Sequence, residues 1–208
     1  MLISRQSHKT HLNSFDSIEH IITDQFILVT HMSQFVISGT GLFIPPHTIS
    51  NEELVKAFNQ YVENFNEQHA AEIESGKVEA LVGSSPEFIE KASGIKSRYA
   101  MYKDGIIDPA IMHPTFPMTG EGKTPEMVTM GIAAAKQAMA EAGKTAEDID
   151  LIVVSSTFRQ RDYPGISVEI QRDLGIKGSA YDMGIACSSA TFGMINAYAA
   201  LAAGMAKN

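Results

Sequence analysis

Hydrophobic and polar positions in the second half of the chain follow two periods in turn. Apolar side chains within 125–143 recur at steps of three and four residues, which predicts a helix. The apolar run 150–155 and the segment 179–185 indicate two buried strands, separated by a short helix over 164–174. A further helix follows over about 186–203. Helices that alternate with buried strands predict an α/β fold with a layered sheet.

The first half of the chain has shorter periodic segments. The segment 35–37 predicts a buried strand, and Ser50 or Asn51 then caps a helix whose apolar residues recur at helical spacing. Another short helix over 86–94 begins with proline and ends with glycine. The remaining stretches of 64–123 are polar or rich in helix breakers, so we expect a loop-rich insertion there.

Residues 1–31 differ in composition from the rest of the chain. They contain no Gly, Ala or Pro, and Met32 opens a segment that leads directly into the first predicted strand. We therefore predict that 1–31 is an extraneous or disordered leader and that the domain spans 32–208. The leader holds four of the seven histidines, whose spacing matches no zinc pattern, so we expect no metal site there: His8, His11, His20 and His31.

Composition and charge narrow the class of protein. The chain has 208 residues, 44% of them hydrophobic, with 16 Lys+Arg against 24 Asp+Glu and a net charge of −8. This composition is typical of a globular protein, and the negative charge argues against nucleic acid or an anionic membrane as partner. Residues 183–206 carry no charge, but they are rich in Ala, Gly and Ser, which favours a helix buried on all sides over a membrane span.

The single cysteine, Cys187, is the main candidate for chemistry. One cysteine excludes an intramolecular disulfide and a cysteine-based zinc site, and we expect a reduced, cytoplasmic setting. Cys187 lies at the predicted turn from strand to helix, where the first N–H groups of a helix favour an anion such as a thiolate. Two interpretations remain open: an activated nucleophile, or an inert small residue in the core.

Several segments in order resemble one known family. They are the stretch Tyr181 to Met194, the run 170–175 (Ile-Gln-Arg-Asp-Leu-Gly), the segment 93–98 (Ser-Gly-Ile-Lys-Ser-Arg), the run 142–154, the pair Tyr163-Pro164 and the loop 39–45. Together they resemble the β-ketoacyl-acyl-carrier-protein synthase III family of the thiolase superfamily. The resemblance covers Met32 to Asn208, and the long 64–123 region is similar to that of a longer-chain subgroup.

The resemblance implies a fold and a reaction. The fold is the N-terminal half of a thiolase-like layered α-β-α-β-α architecture, incomplete at its C-terminus. Cys187 carries an acyl group taken from an acyl-CoA or acyl-carrier protein, and malonyl-acyl-carrier protein then condenses with it. Tyr163 takes the position that lines the acyl tunnel of the partner subunit in a homodimer. Phe88 and Ala92 take the positions of a Trp–Arg pair that holds coenzyme A, so the acyl donor is open; no cofactor is expected.

The chain departs from the family in the residues that assist condensation. In the family a His and an Asn after the nucleophile promote decarboxylation, but this chain has no His after His113, and only Asn196 and Asn208 follow Cys187. We therefore expect a truncated half that is not self-sufficient. The alternatives are another thiolase-superfamily condensing enzyme, such as a thiolase, hydroxymethylglutaryl-CoA synthase or polyketide-type synthase, and a non-catalytic fragment that serves only as a dimerisation module. A solvated face is the simplest interpretation of three arginines: Arg159, Arg161 and Arg172.

Overall fold

The structure is a computed structural model that describes residues 1–5, 35–115, 124–159 and 161–208. The chain divides into two compact units, one formed by Met1–Phe43 with Glu121–Asn208 and the other by Ile44–Gly120. The four histidines of the predicted leader and Met32 lie outside the described residues. In the part of the chain that is described, no helix combines the length and apolarity that a bilayer span requires.

Over its described residues, the first unit contains two strand pairs and three α-helices. Its strands are β1 (Leu2–Arg5), β2 (Phe35–Gly39), β5 (Leu151–Ser155) and β6 (Ser179–Met183), and its helices are α4 (Glu126–Glu141), α5 (Ile166–Leu174) and α6 (Ser189–Ala202). Strands β5 and β6 are parallel, with Leu151 opposite Ser179 and Ser155 opposite Met183. This βαβ arrangement, with α5 as its crossover, brings the carboxyl ends of both strands to one edge.

The core of the first unit lies between these strands and helices. One buried cluster joins Ala138 of α4 to Ile149 and Ile176 at the ends of the β5–β6 pair. A second joins Val128 of α4 to Ile166 and Ile170 of α5. The helical period predicted over 125–143 is therefore confirmed, because its apolar positions supply both clusters.

Close backbone approach explains two glycines between β2 and α4. A Cβ at Gly39 or Gly41 would lie less than 3.0 Å from a backbone carbonyl oxygen of α4, so only glycine fits there. Between them, the Thr40 N–H donates to the Glu141 carboxylate at 2.6 Å and its hydroxyl donates to the same oxygen at 2.9 Å. Both bonds lower the pKa of Glu141 from its ordinary value, and the bond from the backbone N–H has the larger effect.

The first residues of the chain take part in this unit. Strand β1 pairs antiparallel with β2, with Ile3 opposite Ile37, and Leu2 packs into the buried cluster with Ala138. Leu2–Arg5 is therefore ordered in the fold, whereas 6–31 lies outside the described residues. The boundary at Met32 stays a prediction.

Several burial expectations for the first unit are wrong. The strand predicted to be buried over 35–37 leaves Val36 and Ile37 exposed. Strand β5 is half-buried along its length rather than covered on both faces, and α6 buries only Ser189, Gly193 and Leu201. The described residues cover α6 mainly on the side that faces β5. Large apolar side chains elsewhere on α6 are exposed: Phe192, Met194, Ile195 and Tyr198.

The second unit is built on a long helix and a short antiparallel strand pair. Its elements are β3 (His47–Ser50), α1 (Asn51–Gln68), α2 (Ala70–Glu74), α3 (Pro86–Ser93) and β4 (Ser97–Ala100), with β3 antiparallel to β4. Ser50 caps α1 and forms a capping box with Glu53, as the polar pattern predicts. Gly94 ends α3 in the left-handed conformation, also as predicted.

Within the region expected to be a loop-rich insertion, the described segment 81–84 is tied to α1 by hydrogen bonds. Asn66 of α1 exchanges hydrogen bonds with both backbone groups of Leu81, at 2.9 and 3.0 Å. Asn59, two turns earlier, does the same with Ser84, at 2.8 and 3.0 Å. Two asparagine side chains thus bind the segment 81–84 along α1. The two asparagines are seven residues apart and therefore lie on the same face of the helix.

Candidate active site

The elbow between β6 and α6 carries the only cysteine of the chain. Strand β6 ends at Met183, a 3₁₀ turn covers Ala186–Ser188, and α6 begins at Ser189. The α-helix thus starts later than the predicted Ala186, because the chain first makes a tighter turn. Cys187 lies in this turn and is exposed. The interpretation of Cys187 as an inert core residue is therefore wrong.

The backbone of the elbow is strained at the residue before the cysteine. Ala186 has φ 43°, in the left-handed region that a residue with a Cβ occupies at a cost of roughly 1–2 kcal/mol. The Ser189 hydroxyl accepts the Ile185 N–H at 2.7 Å and donates to the Ala186 carbonyl at 2.8 Å. Ser189 is 3% exposed, so both bonds are shielded from water.

A close contact between α6 and β5 supports the elbow from behind. A Cβ at Gly193 would lie less than 3.0 Å from Ser155 Oγ, with the next atoms at 3.6 Å. Gly193 follows Cys187 by less than two helical turns. The helix that begins at the elbow is therefore seated directly on the strand beside it, which fixes where its first turn lies.

The carboxylate of Asp182 joins the strand before the elbow to the start of α5. Its two oxygens accept the N–H groups of Ile166 at 2.9 Å and Ser167 at 2.8 Å. These N–H groups belong to the first turn of α5 and have no partner within that helix. Asp182 thereby connects the strand that leads to Cys187 with the segment that contains Tyr163.

Tyr163, predicted to line a partner's tunnel, is 88% exposed. It precedes a cis peptide bond to Pro164, three residues before α5 begins. The side chain is thus open to solvent just before the first turn of α5, the turn that Asp182 binds. The structure places Tyr163 and Cys187 in the same unit.

Two of the three arginines expected on a solvated face have a structural partner. Glu169 of α5 is 2% exposed, and Arg161 forms an ion pair with its carboxylate through two hydrogen bonds. Arg172 Nη2 lies 3.7 Å from the same carboxylate and Nε lies 2.6 Å from Asp173. The expectation of a solvated face holds for Arg172, which is exposed. Arg161 is partly covered and pairs with a buried carboxylate, which requires a cation.

Phe88, predicted to contact the acyl donor, lies in the other unit on α3 and is 66% exposed. Ala92 follows one turn later and is also exposed, with Lys91 beside it. The preceding Ser85 caps the helix, and its hydroxyl accepts the Phe88 N–H at 3.1 Å. The aromatic face is available for stacking, and the cation of the family pair is replaced by a methyl group at Ala92.

Both asparagines after Cys187 make local hydrogen bonds. The Asn196 amide donates to the carbonyl of Phe192 within α6, at 2.8 Å. The Asn208 amide donates to the Asp148 carbonyl at 3.0 Å. The last histidine, His113, lies in the other unit. Among the described residues, the elbow thus has an exposed thiol but no His–Asn pair beside it.

Sequence reasoning identified Cys187 and missed Ser189 and Asp182. A serine within the first turn of a helix is a common capping residue, but Ser189 sits in an Ala-rich segment where it looks like one more small residue. An aspartate in a strand next to a predicted helix start was the available signal for Asp182.

Comparisons with known proteins show what the chain is similar to. No family model matches the chain. It is 48% identical over 153 residues to "Beta-ketodecanoyl-[acyl-carrier-protein] synthase" of Pseudomonas aeruginosa, a match that covers 74% of this chain and 44% of the relative. It is 28% identical over 177 residues to "Beta-ketoacyl-[acyl-carrier-protein] synthase III" of Rhizobium meliloti, covering 85% of this chain and 41% of the relative. The chain thus spans less than half the length of these curated relatives.

Solved structures show the same fold at low identity. The priming β-ketosynthase of the R1128 polyketide pathway matches with a TM-score of 0.56 at 24% identity, covering 81% of this chain and 37% of that structure. The 3-oxoacyl-[acyl-carrier-protein] synthase III of Aquifex aeolicus matches with a TM-score of 0.55 at 23% identity, covering 81% and 40%. The prediction of a partial thiolase-like α/β fold is therefore confirmed.

Proposed function

Because the chain belongs to the β-ketoacyl-acyl-carrier-protein synthase III family, we propose that it supplies the nucleophile of a condensing acyltransferase of fatty acid biosynthesis. The observation that carries the proposal is the exposed Cys187 on a strained elbow at the start of α6. A thiolate held there lies at the start of a helix, where the positive end of the helix dipole favours an anion. Such a thiolate is suited to attack a thioester.

The proposed reaction has two transfers. In the first, the Cys187 thiolate attacks the acyl thioester carbonyl, a new C–S bond forms, and the donor leaves as a thiolate. In the second, malonyl-acyl-carrier protein loses CO₂, and the resulting carbanion attacks the acyl-Cys carbonyl. A C–C bond forms, the C–S bond to Cys187 breaks, and a β-ketoacyl thioester leaves. The backbone N–H of Cys187 is placed to stabilise the oxyanion of each tetrahedral intermediate.

We propose that this chain by itself performs only the first transfer. Decarboxylation requires groups that stabilise the developing enolate, and the family uses a His and an Asn for this. The amides of Asn196 and Asn208 are occupied by local carbonyls, and no His follows Cys187 in the chain. Acyl loading without condensation is the expected behaviour.

The name of the 48%-identical relative indicates an acyl length. A β-ketodecanoyl product has a ten-carbon acyl chain, and two of those carbons come from malonyl after CO₂ is lost. The acyl group on the cysteine then has eight carbons. We therefore propose a medium-chain acyl thioester as the donor. The pair of residues that holds coenzyme A in the family is changed here at Ala92, so the carrier of the acyl group stays open.

Phe88 and Tyr163 have assigned roles in this proposal. The exposed ring of Phe88 stacks on the donor, either on an adenine or on the carrier arm of an acyl-carrier protein. Tyr163 enters the acyl site of a second copy in a homodimer, which accounts for an aromatic ring that is almost fully exposed in the single chain. A double substitution to alanine at both positions is expected to slow loading while leaving the thiol intact.

Intact-protein mass spectrometry tests the first transfer directly. The chain is incubated with octanoyl-CoA, octanoyl-acyl-carrier protein or acetyl-CoA, and a single acyl adduct that hydroxylamine removes is expected from an octanoyl donor. The chain has one cysteine, so Cys187→Ser is a matched control that abolishes the thioester. Failure of every donor to load, together with a thiol that iodoacetamide does not modify at neutral pH, contradicts the proposal and favours a non-catalytic dimerisation module.

A further inference from the structure

We propose that Ser189 is a positioning residue that holds the Cys187 elbow, an inference that rests on the nucleophilic role proposed for Cys187. The Ser189 hydroxyl uses both of its hydrogen-bonding functions within the elbow: it accepts from Ile185 N–H at 2.7 Å and donates to the Ala186 carbonyl at 2.8 Å. Both bonded groups lie immediately before the cysteine.

The two bonds act on the strained residue itself. Ala186 has φ 43°, and a residue with a Cβ keeps a left-handed conformation only where its surroundings hold it. Along the backbone, the N–H of Ile185 precedes the φ and ψ bonds of Ala186, and the Ala186 carbonyl oxygen follows them. One buried hydroxyl therefore holds the backbone on both sides of the strained residue.

The held turn determines where the thiol sits. Cys187 lies between the restrained Ala186 and Ser189, which is the first residue of α6. With both ends fixed, Cys187 stays at the start of α6, where the positive end of a helix dipole favours an anion. Without the hydroxyl, Ala186 is free to relax to negative φ, and the thiol leaves that position.

The rate of Cys187 alkylation measures this placement without requiring acyl transfer. Iodoacetamide in excess is added to the full chain, and the mass increase is followed with time for wild type, Ser189→Ala, Ser189→Thr and Ser188→Ala. Ser188 is an exposed neighbour in the same turn and serves as the matched control. We expect Ser189→Ala to react about two- to fivefold more slowly, the size of a charge interaction at a helix terminus. Ser188→Ala is expected to react at the wild-type rate, and Ser189→Thr to be closer to wild type than Ser189→Ala.

Amide hydrogen exchange at Ile185 separates positioning from general stability. In Ser189→Ala the Ile185 N–H loses its acceptor, so its exchange is expected to accelerate by about tenfold or more through local opening. An unchanged alkylation rate in Ser189→Ala, with Ile185 exchange accelerated, overturns the positioning role. If Ser189→Ala unfolds, the alkylation rate of Ser189→Thr decides between the outcomes. A rate equal to that of the wild type supports the proposal, and a rate equal to that of the urea-unfolded chain overturns it.

The same samples keep this inference distinct from the proposed function. A wild-type chain that fails to take an octanoyl group, while alkylation still responds to Ser189, contradicts the acyltransferase proposal and supports the positioning role. Octanoyl loading that is identical in wild type and Ser189→Ala, with identical alkylation rates, supports the function and overturns the positioning role.

Discussion

The contact between Gly193 of α6 and Ser155 of β5 leads to a prediction about stability. Whether Gly193→Ala raises or lowers the free energy of unfolding depends on the hydroxyl group of Ser155. A methyl group at position 193 would lie less than 3.0 Å from Ser155 Oγ. Once that oxygen is removed, the nearest atoms are Ser155 Cβ and Val153 Cγ1, both at 3.6 Å, which is ordinary van der Waals distance. Gly193→Ala therefore clashes in the wild-type background and fits in the Ser155→Ala background.

The magnitude follows from two opposing terms. Replacing glycine by alanine inside a helix stabilises by about 1 kcal/mol through helix propensity. Overpacking a seated helix costs about 1–3 kcal/mol. We expect Gly193→Ala to lower the free energy of unfolding by up to about 2 kcal/mol in the wild-type background and to raise it by about 1 kcal/mol in Ser155→Ala. The expected coupling is thus about 1–3 kcal/mol, well above the limit of additivity.

Urea unfolding followed by circular dichroism on the four chains measures this cycle, provided that all four share one m-value. Ser155→Ala alone serves as the control, since the cycle subtracts its own effect. Gly193→Ala stabilising both backgrounds by the same amount would refute the reasoning. That result would mean that the Ser155 hydroxyl rotates away without cost and that α6 is not seated on β5 as described.

Three further predictions concern charged groups. Asp182→Ala leaves two N–H groups at the start of α5 without an acceptor and should lower the free energy of unfolding by about 1–2 kcal/mol in urea, against the exposed Asp162→Ala as control. Arg161→Met removes the main partner of buried Glu169 and should cost about 3 kcal/mol, most of which the double variant with Glu169→Met recovers; an unchanged midpoint in the single variant contradicts the pairing. Glu141→Gln should lower the urea midpoint at pH 7. Because the pKa of Glu141 is lowered in the fold, this difference is present above its ordinary value of 4.5 and disappears as the pH falls through the lowered pKa; a pH-independent difference contradicts the assignment.

Local patterns predicted most of the elements and their ends. The capping box of Ser50 and Glu53 and the left-handed glycines Gly94 and Gly175 involve residues only a few positions apart. Such signals are complete within the sequence, because the partners are held together by the helix itself. The same holds for the elbow that carries Cys187, since a strand, a small-residue turn and a helix follow one another along the chain.

Burial was predicted less well than secondary structure. Helix α6 looks buried on all sides because it carries no charge, yet its side away from β5 is exposed in the described residues. Arg161 looks solvated because its partner Glu169 is recognised as buried only once α5 is packed. Hydrophobicity indicates which side chains favour burial. The packing of the elements determines which of those side chains are buried.

The sequence by itself determined the α/β class, the order of the elements and the position of the single cysteine at a turn between a strand and a helix. Only the tertiary structure decided that Cys187 is exposed, that the Ser189 hydroxyl is buried, and that Gly193 lets α6 rest on β5. The pairing of β1 with β2, more than thirty residues later, also belongs to the tertiary level. The physical reason is that propensities and caps act over one or two turns of chain. Strand register, close backbone approach and the burial of a hydroxyl depend on segments that are distant in sequence.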